Sequence, residues 1–535
     1  MTLRQADCWE VGINVKPALS RYLFVAAGPG RCRPRRGAWA ADPVREAFMT
    51  TDALRRNIQA GIGSLADRRS LQVLRDLAAA RGLEVYLVGG SVRELALGRQ
   101  APDLDLAVSG QTLELARDLA TALQGTFVLL DEGERTARVV FQGEILDLAE
   151  FRAPGLEGDL GGRDFTINAV ALNLEALLGL APLVIIDPRA GLEDLSQGLI
   201  RMVAAENLAA DPLRLLRAYR FAATHGLSLT PETETAISRH APEFSRVAGE
   251  RVHQELFLLL GAPKAGTILA QMDRAGLFSQ IFPELEDLKG VEQNGYHHLD
   301  VFNHSLAAVS HLEVVLAEPA RYFGELAAEL ARYAGAPPRP ALLKLAALFH
   351  DAGKPKVQDR RANPDRYTFY YHEKVGQEIF AGVAQRLRLS AAEAKTVASL
   401  IQLHMRPFLL LPAFRERELS FRALGRLVRA ARAELPGLFA LAMADSLAGQ
   451  GPQKPADAEA VLADLADEAY RFLKERLEPQ EAVARLLTGD DLIREFGLQP
   501  GPRFRHLLTA VQEAQWEGLV RTREDAIRLV RRLLE

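Results

Sequence analysis

A chain of 535 residues is too long for one hydrophobic core, and its length sets an expectation of about three or four domains. The 48% hydrophobic and 25% charged content is that of a globular protein, and a net charge of −4 leaves any nucleic-acid binding to local basic patches. Both cysteines, Cys8 and Cys32, lie near the N-terminus; this excludes a disulfide, a thiolate metal site and a cysteine nucleophile from the body and fits a reducing cytoplasm. Charges interrupt each apolar run before the roughly 20 residues that a bilayer requires.

Residues 1–48 lack sustained periodicity and contain GPGRCRPRRG. They read as a disordered basic arm, as a targeting peptide, or, the favoured reading, as a start assigned upstream of Met49, with no function expected of them. Helical spacing follows from Leu65 to Ala80. Next comes VYLVGGSVRELALGRQAPDLDLAV, from Val85 to Val108. An apolar run (Val85–Val88) stops at Gly89-Gly90, a helical segment carries Arg93, and a second strand alternates through Asp103 and Asp105. Residues two apart on a strand share a face, so the carboxylates converge. Beside a glycine turn that exposes amides, and with Arg93 near, they suit a Mg²⁺-bound triphosphate. The alternative is a solvated hairpin edge bearing two acids.

A helix over Leu113–Leu123 and three strands, Thr126–Leu130, Thr136–Phe141 and Glu144–Ala149, complete an α+β unit on a small mixed sheet. Asp147 is the expected third carboxylate of a two-metal site, with Glu150 the weaker candidate. In GGRDFTINAVALN, Arg163, Asp164, Thr166 and Asn168 crowd a loop-to-helix entry. They offer a cation for phosphate and hydrogen-bonding groups for a sugar hydroxyl, while Asp164 or Thr166 could also simply cap a helix. A strand, Val184–Ile186, leads into DPRAGLEDLSQGLIRMV, read as a turn-rich connection through Gly191 and Gly198. The pattern is helical from Leu208 to about Leu260, with Asp211-Pro212 starting one helix and Gly226 stopping it. Arg214, Arg217 and Arg220 recur every three residues along one side of that helix and are expected to face nucleotide or RNA phosphate rather than solvent alone.

LVGGSVREL with DLD, GRDFTINA, DPRAGLEDL, DPLRLLRAYRFAA and ERVHQEL (Glu250–Leu256) occur in that order. Together they resemble the class II tRNA nucleotidyltransferases, the CCA-adding and bacterial poly(A) polymerase family within the polymerase-beta-like superfamily. The resemblance implies that Asp103 and Asp105 bind catalytic Mg²⁺, Arg163 the triphosphate and Asp164 the ribose. It implies that Asp211 and Arg214 pair with the incoming base in place of a template, a recognition that a carboxylate and a guanidinium can perform on C or A. CTP and ATP would be the substrates and the tRNA 3′ end the partner. Glu94 departs from the pattern's Asp, Gly162 from an Arg and Ala210 from a Glu. Between Phe151 and Arg163 only RAPGLEGDLGG stands where full CCA-adding members carry a longer flexible loop. That short segment resembles the CC-adding subgroup, weighed slightly above complete CCA addition. A poly(A) polymerase or A-adding enzyme is the rival.

Beyond Tyr296, the residues His304, His350-Asp351, His372, His404 and Asp445 form a second constellation of ligand types suited to a mono- or dinuclear transition-metal centre. LLKLAALFHDAGK reads as an apolar helix ending in ligands and then Gly353-Lys354. The ordered set resembles the HD-domain phosphohydrolases. It implies a divalent transition metal (Mn, Ni, Co or Fe) and phosphatase or 2′,3′-cyclic phosphodiesterase action on damaged RNA ends, with Lys354 supplying charge stabilisation. His297 and His298 fall outside the pattern and read as surface or supporting residues. In a reading of another class, the hydrolase is the main activity and the N-terminal fold an RNA-binding module. Arg422, Arg426, Arg429 and Arg432 make a stripe suited to phosphate or to solvent. Residues 451–480 read as a helical linker, and the helical tail carries a turn, GLQPGPRF, that could meet an RNA backbone. The expected architecture is α+β. After 1–48 come a nucleotidyltransferase sheet domain at 49–187, a helical neck at 188–290, an HD domain at 291–450 and a helical tail at 451–535. Neither a membrane nor an obligate protein partner is expected.

Overall fold

A computed structural model describes residues 49–101, 103–360, 367–479, 486–516 and 518–535, so the expectations for 1–48 lie outside the described residues. Alternating apolar segments form one seven-stranded sheet: β1 (Val85–Val88), β2 (Asp103–Val108), β3 (Thr126–Asp131), β4 (Thr136–Phe141), β5 (Glu144–Glu150), β6 (Ala171–Asn173) and β7 (Ile185–Ile186). The strand order is β3-β4-β5-β2-β1-β6-β7. Within this sheet only β2 and β5 pair in parallel, in a register that sets Asp105 opposite Asp147. Leu104, Leu106, Leu146 and Leu148 fill the intervening positions and are buried. The period of two therefore sends leucines into the core and aspartates to the opposite face. Helices Thr51–Ala66, Arg69–Ala80 and Thr112–Leu123 contribute buried leucines to the same core.

Two local expectations are corrected. The GGRDFTINAVALN segment enters a short 3₁₀ turn, Thr166–Asn168, and then β6, not a longer helix. Thr166 caps nothing there; its hydroxyl donates to Asp194 at 2.7 Å. The stretch read as turn-rich contains a helix, Gly191–Ser196. The Asp187 carboxylate accepts from the Gly191 and Leu192 amides at 2.7 and 3.0 Å, satisfying N–H groups that a helix start leaves open. Gly191 lies so near the Thr166 carbonyl that a Cβ would come within 2.1 Å of its oxygen.

Everything downstream is essentially helical. Leu213–His225 and Gly249–Gly261 pack against each other and continue into a bundle of Val301–Ala317, Arg339–Phe349, His372–Arg386, Ala391–Leu403 and Leu435–Ala448. Leu435–Ala448 is apolar on all sides up to Asp445-Ser446 and almost entirely buried, as a central helix must be. By length and composition alone, the 25-residue stretch Ala391–Arg415 could cross a membrane, which the sequence reading did not foresee. It turns at His404-Met405 and delivers buried His404 to a polar cluster, so its place is in the bundle. The expected linker is also corrected: Ala458–Phe472 buries Leu462, Leu465 and Ala466 in the main core. The tail helices Gly489–Phe496, Pro502–Trp516 and Arg523–Leu534 close over a small core of their own.

Candidate active sites

The Gly-Gly turn exists because of what approaches it. Gly89 adopts φ +64°, and a Cβ there would meet the Arg163 guanidinium at 2.7 Å; one on Gly90 would meet Asp105 Oδ2 at 3.0 Å. Ser91 ties the turn to β2 by donating to the Asp103 carbonyl at 3.1 Å and accepting from the Asp105 amide at 2.7 Å. Here a cleft of about 560 Å³ opens, lined by Gly89, Gly90, Arg93, Asp105, Asp147, Arg163, Asp164, Asn168, Asp211, Arg214, Arg217 and Arg220. The expected nucleotide-site residues therefore meet in one place except Thr166, which is turned to Asp194, and Asp103, which shares Asp105's face of β2 but lies outside the cleft lining. Burial raises the Asp105 pKa and the facing Asp147 raises it further, although Arg163 opposes both. Asp147 is gripped by a forked pair from Arg138 at 2.7 and 2.8 Å. The weaker candidate, Glu150, accepts instead from Arg135 at 2.5 Å and from the Thr112 amide at 3.4 Å, and it does not line the cleft.

Arg93, Arg163, Arg214, Arg217 and Arg220 of the cleft are each backed by an acceptor. Arg163 donates to Asp159 at 2.9 Å, and Asp159 comes from the short RAPGLEGDLGG segment, which folds as a helix, Gly155–Gly161. Arg93 donates to Glu94 and to Asn168, and the Asn168 amide donates to Asp164 at 3.0 Å. Arg217 bridges Asp164 and Glu255 at 2.9 and 3.0 Å, and Arg220 reaches Glu255 at 2.8 Å. Burial alone would raise the Asp164 pKa, but Arg217, Asn168 and the Phe165 amide outweigh it and keep the carboxylate ionised well below its usual range. Arg93, Arg217 and Arg220 surround the Phe221 ring at 4.7, 5.4 and 3.6 Å. Asp211 and Arg214, expected to read the incoming base, both line the cleft and are each held by neighbours. Asp211 is paired with Arg251 at 2.8 and 3.2 Å, while Arg214 donates to the Gly162 and Asn207 carbonyls at 3.0 and 3.1 Å.

The second constellation assembles in full. His304, His350 and Asp445 form one buried group, and Asp351, His372 and His404 another; within each group the ligand atoms lie within 4.8 Å. The chain orients the rings through its backbone. The Nδ1 atoms of His350, His372 and His404 contact the Ala347, Phe369 and Ile401 carbonyls at 2.8, 2.7 and 2.7 Å, which turns each Nε2 inward. His350 Nε2 is buried 3.1 Å from Asp351 Oδ2 and 3.7 Å from Asp445 Oδ1 without an aligned hydrogen bond to either, as suits a nitrogen that shares a cation with both carboxylates. Burial would lower the His350 pKa, but Asp351 and Asp445 outweigh it and raise it to about 9. Burial, with His372 and His350 nearby, pushes His404 down to about 3 and keeps it neutral. Lys354, expected to supply charge stabilisation, donates to Asp351 at 2.6 Å and to Gln293 at 2.7 Å. His297, placed outside the pattern, packs edge-on against His304 with centroids 4.5 Å apart.

Sequence reasoning missed Ser91, Arg138, Asp159 and His225, all partners of site residues. Asp159 and Arg163 at i, i+4 carry a helical signal; Arg138 and Asp147 become neighbours only through the β4–β5 register. The basic stripe is also corrected. Arg422 and Arg426 pair with buried Glu513 at 3.1 and 2.8 Å, and Arg429 lies 4.6 Å over Trp516, so the stripe docks the tail.

Facing aspartates on adjacent strands, a glycine turn and a backed ring of arginines define a nucleotidyltransferase site. Residues 85–157 match the family described as poly A polymerase head domain, 226–289 the one described as probable RNA and SrmB-binding site of polymerase A, and 317–471 the HD domain. An A-adding tRNA nucleotidyltransferase of Deinococcus radiodurans is 35% identical over 84% of this chain and 95% of its own length. A CC-adding tRNA nucleotidyltransferase of Thermus thermophilus is 36% identical over 83% of this chain and 92% of its own. The fold is shared with a Thermotoga maritima CCA-adding enzyme solved with tRNA, at a TM-score of 0.57 and 22% identity, covering 89% of this chain and 98% of that one. The chain belongs to the tRNA nucleotidyltransferase family, as an enzyme that carries an HD domain behind its nucleotidyltransferase sheet.

Proposed function

We propose that this enzyme adds C to tRNA 3′ ends from CTP without a nucleic-acid template, and that its HD site hydrolyses phosphoesters at RNA ends. The cleft carries the first reading, because it unites a facing carboxylate pair with a ring of arginines. Buried Asp105 opposite Asp147 is an acceptor-only oxygen set that fits Mg²⁺, with Asp103 on the same face. Bound there, Mg²⁺ would supply charge neutralisation at the reacting phosphate. Arg93 and Arg163 hold phosphate oxygens with N–H groups left over from Glu94, Asn168 and Asp159, while Arg217 and Arg220 add positive field. Asp164, fixed and ionised, accepts from a ribose hydroxyl, with Asn168 beside it. Arg214, anchored by two carbonyls, and Asp211, steadied by Arg251, present donors and acceptor to the base edge. The RNA 3′-hydroxyl oxygen bonds to the α-phosphorus as the bond to the bridging oxygen breaks and pyrophosphate leaves.

Four buried histidines and two buried aspartates fit a divalent transition metal at the HD site, which would supply Lewis acidity toward a phosphoester. Addition of C is supported by the compact Gly155–Gly161 segment and by the Thermus relative; the Deinococcus relative supports A addition as the second reading. Action on tRNA supports a cytoplasmic location. The assay offers CTP or ATP to tRNAs ending at the discriminator base, at C and at CC. CTP is expected to extend the first two; ATP extending only the CC-ended tRNA assigns A addition instead. Asp103→Ala with Asp105→Ala is expected to abolish addition and spare phosphohydrolysis, and His350→Ala with Asp351→Ala to do the reverse.

A further inference from the structure

Arg93 is expected to hold nucleotide phosphate, yet its main partner is the residue next to it. Both Nε and Nη2 of Arg93 donate to Glu94 Oε1, at 3.2 and 3.0 Å. Successive residues on a helix do not face each other, so a carboxylate turned back onto its neighbour needs an anchor from elsewhere. The helix Leu213–His225 provides one in its last residue, where His225 Nε2 meets the same Glu94 Oε1 at 3.0 Å. The carboxylate can only accept, so Nε2 carries the proton. His225 is itself fixed, with Nδ1 2.7 Å from the Thr224 hydroxyl and its ring against Phe221 at a centroid distance of 5.8 Å. Its side chain is 7% exposed, and Arg99, the other cation near Glu94, stands 3.7 Å off and is 55% exposed.

We propose that His225 is a positioning residue for nucleotide binding: it pins Glu94, and Glu94 aims Arg93 into the cleft. The pin joins the sheet domain to the helix that bears Arg214, Arg217 and Arg220, so phosphate and base contacts keep one relative placement. It is also particular to this chain's Glu94, since the Asp of the family pattern is one methylene shorter and would draw the carboxylate back from the imidazole.

The inference rests on the nucleotide-site reading, and the experiment separates the two. Steady-state addition to tRNA with CTP or ATP, whichever the enzyme uses, is measured for His225→Leu, His225→Gln, Glu94→Asp, His225→Leu with Glu94→Asp, and Arg93→Ala. His225→Leu is expected to raise the nucleotide KM by about five- to tenfold with kcat within about twofold, the loss of one charge-assisted hydrogen bond. His225→Gln, which keeps an N–H donor, restores most of it. Glu94→Asp raises KM similarly, and adding His225→Leu to it has no further effect. An unchanged KM in His225→Leu, or an equal further rise in the Glu94→Asp background, overturns the proposal; so does a fall in kcat alone. If Arg93→Ala leaves KM unchanged, the nucleotide-site reading itself fails. Should His225→Leu not fold, Glu94→Asp and His225→Gln carry the same comparison.

Discussion

At the residue scale, the site depends on small clearances and on charges held in place by neighbours. Gly90→Ala sets a Cβ 3.0 Å from Asp105 Oδ2, which must move to make room. Nucleotide addition is expected to fall about 10- to 100-fold while the unfolding midpoint barely changes, because a small misplacement of a reacting group is costly in rate. Glu94 shows the electrostatic side. Burial works against its charge, but His225 and Arg93 outweigh it and bring the carboxyl from 4.5 to about 2. A carboxylate depressed on folding stabilises the native state above its unfolded value and loses that contribution as pH falls toward the folded one. The gap in urea midpoint between the parent and Glu94→Gln should therefore be full above about pH 5 and narrow as the solution is acidified. A gap constant down to about pH 3 would mean that the charge is not its source. Asp103, Asp105 and Arg163 are legible because chain-adjacent motifs carry them, and the HD ligands because they recur as an ordered set around His350-Asp351. Arg138 and His225 were illegible because their partners arrive only through strand register and helix packing.

At the scale of elements, the sheet strands and the apolar helices were readable because their periods are strong, whereas Gly191–Ser196 and β6 are too short to show one. The HD site adds a constraint that no periodicity reports. Gly353 follows the His350-Asp351 corner, and a Cβ there would stand 2.1 Å from the His372 carbonyl oxygen and 2.7 Å from the Gly376 amide nitrogen. Both obstacles are backbone, so they cannot rotate away. The His350–Asp351 corner and the helix His372–Arg386 must separate if Gly353 gains a side chain, and His372 Nε2 is only 3.2 Å from Asp351 Oδ1. Gly353→Ala is expected to cost about 1–3 kcal/mol of stability, as overpacking does. It should also weaken Mn²⁺ binding measured by calorimetry, while nucleotide addition persists. Unchanged metal affinity would show that the corner's spacing is not set there.

At the scale of the whole molecule, the two sites share one continuous core, since Gly249–Gly261 packs against Leu213–His225 on one side and Arg339–Phe349 on the other. Glu255 on that helix backs Arg217 and Arg220, so the nucleotide site leans on the element that also supports the HD bundle. Independent chemistry therefore coexists with shared stability, and inactivating one site by a polar-to-alanine change leaves the other intact only while the core survives. The tail is different: it has an apolar cluster of its own, and it joins the bundle through Trp516, buried in the main core, and through Glu513, 6% exposed, which meets Arg422 and Arg426. Glu513→Ala removes the acceptor through which both guanidiniums hold the tail helix, and the arginines, 46% and 63% exposed, stay hydrated, so the loss falls on tail docking. Hydrogen exchange is the direct readout. Amides of Pro502–Trp516 and Phe421–Ala431 should exchange on the order of ten- to a hundredfold faster in the variant, while those of β2, β5 and Leu435–Ala448 keep their protection. If acceleration spread to the sheet, the tail would be part of the same cooperative unit as the two sites, and the separate core would have no independent meaning.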